Sequence, residues 1–246
     1  MIAAPSRGRV GVLRYVLVLM RYGVWMATAA AGFVLAGCGG TGPEQRETLT
    51  DPVEGTVDRV EVESDAGEVR LVAGDRASVE QDLRWTGDAK PEVEHRLDGD
   101  VLTVTVRCPD DGGERCQAGL VITVPESAES RVEASAGGIE VSGLTGDQDL
   151  QTSAGGVRGT GLGPGSVGAR STAGGVDLAF ATPASDVHAE SSAGSVDIRV
   201  PIGPAYHVTA ETTAGSTSVE VPDQPGADHR ITARSTAGGV RVVPAD

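Results

Sequence analysis

Apolar and polar residues alternate through the C-terminal half of the chain, and a small-residue signature interrupts the alternation at a nearly regular interval. Ser-Ala-Gly-Gly stands at 135–138 and 153–156, Thr-Ala-Gly-Gly at 172–175 and 236–239, Ser-Ala-Gly-Ser at 192–195, and Thr-Ala-Gly-Ser at 213–216. The first glycines are Gly137, Gly155, Gly174, Gly194, Gly215 and Gly238, spaced by 18, 19, 20, 21 and 23 residues. A period near 20 residues predicts a solenoid, in which each repeat is one rung stacked on the last.

Aligning the repeats on that glycine reveals the cross-section of a rung. Two and four positions after it stand Ile139/Val141, Val157/Gly159, Val176/Leu178, Val196/Ile198, Thr217/Val219 and Val240/Val242. Five positions before it stand Val132, Leu150, Ala169, Ala189, Ala210 and Ala233. The residues between are polar: Glu133, Gln151, Arg170, Glu190, Glu211 and Arg234 before the corner, Glu140, Arg158, Asp177, Asp197, Ser218 and Arg241 after it. Period two is the pattern of a half-buried strand, so each rung is expected to be strand, tight Ala-Gly corner, strand. Glycine makes the bend, and Ala with Ser or Thr keeps it thin enough to stack. The outward charges are mixed in sign between neighbours, with Arg158 between Glu140 and Asp177, Arg170 beside Glu190 and Glu211 beside Arg234. Such pairs favour one stacking register.

An earlier half-rung carries Val60 and Val62 before a corner at Ala66-Gly67, then Val69 and Leu71 after it. Between it and Gly137 the runs 78–85, 92–97, 101–107 and 120–124 read as longer strands, with a hairpin turn at Asp98-Gly99-Asp100. The mature chain has almost no helical periodicity. The fold class expected is all-β, a single-domain β-solenoid or β-helix-like stack over 56–246, with a β-meander near 76–126 and narrow rungs near 130–244. Pro244 and Asp246 are expected to blunt the last rung.

The N-terminus changes this picture by adding a targeting segment. Arg7, Arg9, Arg14 and Arg21 precede an apolar run, 23–34, that ends in Leu35-Ala36-Gly37-Cys38. This tetrapeptide resembles a bacterial lipobox, which implies cleavage of residues 1–37 and a diacylglycerol on Cys38. The alternatives are an ordinary signal peptide or a single transmembrane anchor, and translation from Met20 in place of Met1 also stays open. Two acyl chains are what stable anchoring takes, so the expected location is the extracytoplasmic face of the cell membrane. Residues 38–55 read as a flexible tether.

Charge then limits the partners. Acidic residues number 35 against 20 basic ones, and four of the basic ones leave with the signal. A body this acidic is repelled by nucleic acid and by anionic headgroups. Its membrane contact is therefore the lipid, and its other partner an unknown envelope or surface protein. Beyond Cys38 only Cys108 and Cys116 remain, at either end of a Gly/Asp-rich loop. In an exported chain they are expected to form a structural disulfide.

Chemistry is sparse. His95, His188, His207 and His229 follow no metal-ligand spacing. Asp177 and Asp197 are expected to be stacked neighbours, read as a solvated charge ladder or, in the alternative, a weak cation site. Ser191 and Ser192 lie near His188 but belong to a corner. The Gly-rich runs precede strands, whereas phosphate loops and nucleophile elbows precede helices. No catalytic residue, metal ligand or cofactor is assigned. Trp85, Phe180 and Tyr206 are the aromatic rings left after the signal, few for a sugar-stacking groove.

The Ala-Gly repeats, the half-rung at Val60–Leu71, the longer strands and the Val124-Pro125 exit together resemble the bacterial adhesin domain of unknown function also called the toastrack. The resemblance spans roughly residues 57–243. It implies a β-solenoid fold, an extracytoplasmic setting, no established catalytic residues, and in some bacteria the company of membrane-stress proteins. The expected function is a non-catalytic adhesion or protein-interaction module. The rival is an envelope polysaccharide-active enzyme on a β-helical scaffold, whose chemistry would need paired carboxylates in one groove.

Overall fold

The computed structural model describes residues 43–109 and 114–245, and no helix occurs among them. Nineteen strands form: β1 Gln45–Pro52, β2 Arg59–Ala66, β3 Val69–Ala73, β4 Ser78–Trp85, β5 Glu92–Asp98, β6 Val101–Arg107, β7 Cys116–Val124, β8 Glu129–Ala136, β9 Ile139–Ser142 and β10 Gln148–Ala154. Then follow β11 Val157–Leu162, β12 Val167–Ala173, β13 Val176–Phe180, β14 Asp186–Ala193, β15 Val196–Val200, β16 Tyr206–Ala214, β17 Thr217–Val219, β18 His229–Ala237 and β19 Val240–Pro244. The first sheet runs β1-β4-β7-β3-β9-β11-β13-β15-β19-β17 and the second β16-β18-β14-β12-β10-β8-β2-β6-β5. A rung is one strand of each sheet joined by a corner, and the narrow rungs pair in parallel. The fold is an all-β, solenoid-like stack.

The predicted alternation describes the interior. Val132, Leu150, Ala169, Ala189 and Ala233 are fully buried on one side, and Val157, Val176, Leu178, Val196, Ile198, Val240 and Val242 meet them from the other. Where Val167, Val187 and Ile231 stand in later rungs, β10 places Gln148. Its amide donates to the carbonyls of Gly146 (2.9 Å) and Ala128 (3.2 Å), and its oxygen accepts from the Ser130 hydroxyl, so the buried amide is satisfied.

The corner is tighter than Cβ allows. A Cβ on Gly137, Gly155, Gly174, Gly194, Gly238 or Gly215 would lie between 1.9 and 2.3 Å from the carbonyl oxygen of the glycine in the adjacent corner. These glycines also hold φ between 143° and 158°, outside the range L side chains commonly adopt. The corner N–H groups of Gly137, Gly155, Gly174, Gly194 and Gly238 donate to the alanine carbonyl of the adjacent rung, as from Gly155 to Ala173 (2.9 Å) and from Gly174 to Ala193 (3.0 Å). A second column lies just inside the first. The residue three before five of these glycines sends its hydroxyl back to the neighbouring corner: Thr152 to Gly137 (2.8 Å), Ser171 to Gly155 (2.7 Å), Ser191 to Gly174 (2.8 Å), Ser235 to Gly194 (2.9 Å) and Thr212 to Gly238 (2.8 Å). The buried hydroxyls are therefore structural donors.

Those last two bonds expose a correction to the expected order. The final repeat, β18/β19, does not stack on the outside but inserts between β14/β15 and β16/β17. Two causes agree. The displaced repeat has Thr217 where the others have Val or Ile, and β17 is exposed throughout, Val219 to 40%; the poorer core strand belongs at an end. Charge also selects the order. Arg230 meets Asp186 (3.2 Å), Arg241 meets Asp197 (3.3 Å), and Arg234 lies between Glu190 (3.9 Å) and Glu211 (3.1 Å). Chain-order stacking would set Glu211 directly against Glu190. Pro244 accordingly pairs with Val200 in the interior of the first sheet and blunts no end, and Asp246 lies outside the described residues. The end strand β16 is covered instead by the loop after β17, whose Asp223 carboxylate accepts from Val208 N (3.0 Å) and whose Gln224 N donates to Tyr206 O (2.7 Å).

At the other end β6 and β7 flank β2 and β3 in parallel, forming one more rung. Its two strands are joined by the Cys108–Cys116 disulfide loop, Cα atoms 5.8 Å apart, where other rungs have a glycine corner. β5 and β6 make the hairpin at Asp98-Gly99-Asp100 in the second sheet, and β4 pairs with β7 in the first. The segment expected as a meander is thus shared between the sheets. Part of the expected tether is structured: β1 pairs along its whole length with β4. Arg46 of β1 reaches Asp82 (2.7 Å), and hydrogen bonds from Arg84 and from Arg46 hold that carboxyl below its usual range. β1 is an edge strand whose residues are mostly exposed, so its composition resembles that of a tether.

The corner geometry yields two stability predictions, both read by denaturant unfolding. Gly174→Ala forces a Cβ 2.1 Å from the Gly155 oxygen and is expected to cost on the order of 3 kcal/mol or more. Gly168→Ala, on β12 with nothing nearer than 3.6 Å, is expected to be neutral or stabilising by about 0.5 kcal/mol. Equal effects would contradict the column. Ser171→Ala removes the donor to Gly155 O and is expected to cost about 1 kcal/mol; an unchanged midpoint would contradict the hydroxyl's role.

Candidate functional site

The corner column leaves a ridge of small residues along the stack, and a shallow trough follows its second-sheet side. One wall carries the exposed hydroxyls Ser135, Ser153, Thr172, Ser192, Thr236 and Thr213 in their spatial order. The other carries Glu133, Gln151, Arg170, Glu190, Arg234 and Glu211. Successive rungs repeat at about 4.8 Å. The floor is Ala134 and the buried hydroxyl column. All three sets follow from the sequence locally: strand alternation turns one residue outward, the next inward, and the corner turns the third to solvent.

Charge along the trough alternates and is largely matched. Arg170 lies 3.4 Å from Glu190, and Arg131 bridges Glu133 (2.6 Å) and Asp149 (3.1 Å). On the first-sheet side of the ridge Arg158 is in register with both Glu140 and Asp177, as expected. The ion pairs of those acids go elsewhere, Glu140 to Arg70 (2.7 Å) and Asp177 to Arg199 (2.6 Å). Asp177 and Asp197 are stacked neighbours, and each carries its own arginine, Arg199 for the one and Arg241 for the other. The pair is thus a neutralised ladder, and among the described residues no cluster of three or more His, Cys, Asp or Glu side chains could hold a metal ion.

The histidines are held separately. His188 faces Glu190 (3.0 Å), His207 faces Asp223 (3.4 Å), and His229 Nδ1 lies 2.8 Å from the Ala184 carbonyl. Ser191, near His188 in sequence, points its hydroxyl to Gly174 instead. Trp85, Phe180 and Tyr206 are buried, Lys90 Nζ stands 5.2 Å from the Trp85 ring, and the Tyr206 hydroxyl donates to Pro201 O (2.9 Å). Burial raises the Tyr206 pKa. Cys38 lies outside the described residues, and Cys108 is bonded to Cys116.

One feature of the trough was not anticipated from the sequence. The inward hydroxyl column stops at β8, where Ala134 occupies the position, and resumes at Ser64, buried and without a hydrogen-bond partner. The neighbour on that side is the disulfide rung, where the Ala118 carbonyl and not a glycine's lies against Gly67. A Ser or Thr three residues before every corner glycine but Gly137 is the available signal. In chemical terms the trough offers repeated hydroxyls and paired charges along an extended line, suited to hydrogen-bonding an extended polar chain.

The fold is similar to that of a putative cell adhesion protein from Clostridium sporogenes, at 12% identity and a TM-score of 0.51, over 82% of this chain and 100% of that one. It is also similar to a putative adhesin from Bacteroides fragilis, at 12% identity and a TM-score of 0.47, over 81% of this chain and 97% of that one. No curated protein matches the sequence. Residues 117–243 match the family described as Toastrack DUF4097, more than half of the chain, and the protein belongs to that family.

Proposed function

We propose that the protein is an extracytoplasmic lipoprotein, held at the cell membrane by diacylglycerol on Cys38, whose toastrack domain is a non-catalytic adhesion or protein-interaction module linked to envelope stress. The observation that carries this reading is the trough, a polar surface repeated over successive rungs. Its inward hydroxyls, Ser64 apart, are bound to backbone carbonyls and its outward charges are paired, which suits contact better than turnover. The Cys108–Cys116 disulfide supports an oxidising compartment. The acidic excess favours a protein partner in the envelope over nucleic acid or an anionic lipid surface.

The test is proximity cross-linking of the lipidated protein in its own cells, read by mass spectrometry, with Cys38→Ser as the released control and Thr172→Tyr/Ser192→Tyr to fill the trough. The N-terminal peptide is expected to carry the mass of a diacylglyceryl cysteine. A membrane protein captured by the native form, and at least tenfold less by both variants, supports the stress-linked reading. Wall or foreign-cell components captured in its place support adhesion. Capture unchanged by the trough variant would contradict the proposed surface, and an unmodified Cys38 would contradict the anchor.

A further inference from the structure

The C-terminal repeat is last in the chain but lies inside the stack, between β14/β15 and β16/β17. It can seat on β14/β15 only while β16/β17 is not stacked there, so a form with the end rung undocked comes before the native order. The gap has a defined specificity: Asp186, Glu190 and Asp197 face it from one side and Glu211 from the other, and the repeat that fills it brings Arg230, Arg234 and Arg241. The vacated gap does not close well on itself, since closure would set Glu211 against Glu190. β16 pairs in its sheet only with β18, and β17 only with β19.

The connection to the inserted repeat can act as a hinge. Asp223 and Gln224 are tied to β16, and beyond them Pro225, Gly226 and Asp228 are exposed, with open space around Gly226 at φ 86°. Every ladder and ion pair that seats β18/β19 is made to other parts of the chain, so an identical repeat from another molecule would make the same set. We propose that β18/β19 is an exchangeable segment, and that the gap between β14/β15 and β16/β17 is a docking site for the C-terminal repeat of a second copy. This goes beyond the proposed anchor and trough and does not depend on either: it gives a way for copies of the domain to join one another.

The test uses two full-chain variants whose charges are reversed on opposite sides of the gap. The first carries Arg230→Glu, Arg234→Glu and Arg241→Glu; the second carries Asp186→Arg, Glu190→Arg, Asp197→Arg and Glu211→Arg. In either alone the repeat meets like charge in its own gap, whereas in a reciprocal exchange all these pairs are opposite. Co-refolding an equal mixture with the disulfide intact is expected to yield a 1:1 heterodimer that melts above either variant alone. Monomers only in the mixture would overturn the proposal. A second measurement leaves the charges native: two fluorescently labelled batches of the unaltered chain are refolded together at high concentration. Mixed dimers that persist on dilution are expected, and their absence would overturn the proposal as well.

Discussion

The fold rests on one close approach, that of a glycine Cα to the carbonyl oxygen of the glycine one rung away. With a Cβ in that space set between 1.9 and 2.3 Å from oxygen, no other residue lets the corners stack at strand spacing. Once they do, the Gly N–H and the inward hydroxyl on each side are both supplied with partners. The two sheets are pulled close at this edge, and a thin interior of Val, Ala, Leu and Ile is enough to fill the space between them. The same approach makes the outer surface: small residues at the corner leave a ridge, and the rows beside it become a trough.

The corner sets spacing but not sequence, because every corner is nearly the same. Order comes from features that differ between rungs. Thr217 sends its rung to the end, and the arginines of the last repeat draw it between two acidic neighbours. Each exposed pair contributes only a few tenths of a kcal/mol, yet the competing arrangements share their hydrogen bonds and most of their core, so small differences decide. The disulfide marks the opposite limit, where a covalent loop replaces the corner and the hydroxyl column ends on Ser64.

Much of this was legible in the chain. Alternation located Ser78–Trp85 and Val101–Arg107 to the residue, and the corner glycines fixed the register of the inward valines. What stayed hidden depended on partners distant in sequence. β1 is an edge strand of mostly exposed residues and reads as a tether until β4 is placed beside it. The inserted repeat cannot be seen in periodicity, since a period is unchanged when two rungs trade places. Cross-rung charges such as Glu190 with Arg234 held that information, but only a comparison of both orders extracts it. The buried hydroxyls do not stand out in the sequence because serine next to a corner already has a reason to be there. The charged rows beside the ridge were legible, whereas the trough they line required the corner to be drawn in three dimensions.

The most direct test of the corner column and the order it carries is scalar coupling through its hydrogen bonds, measured by NMR on the labelled chain. A cross-peak from the Gly194 amide nitrogen to the Ala237 carbonyl carbon is predicted, from the 2.9 Å bond that seats the last repeat against β14. A cross-peak from Gly194 to Ala214 instead would mean that the rungs stack in chain order, and would contradict the account.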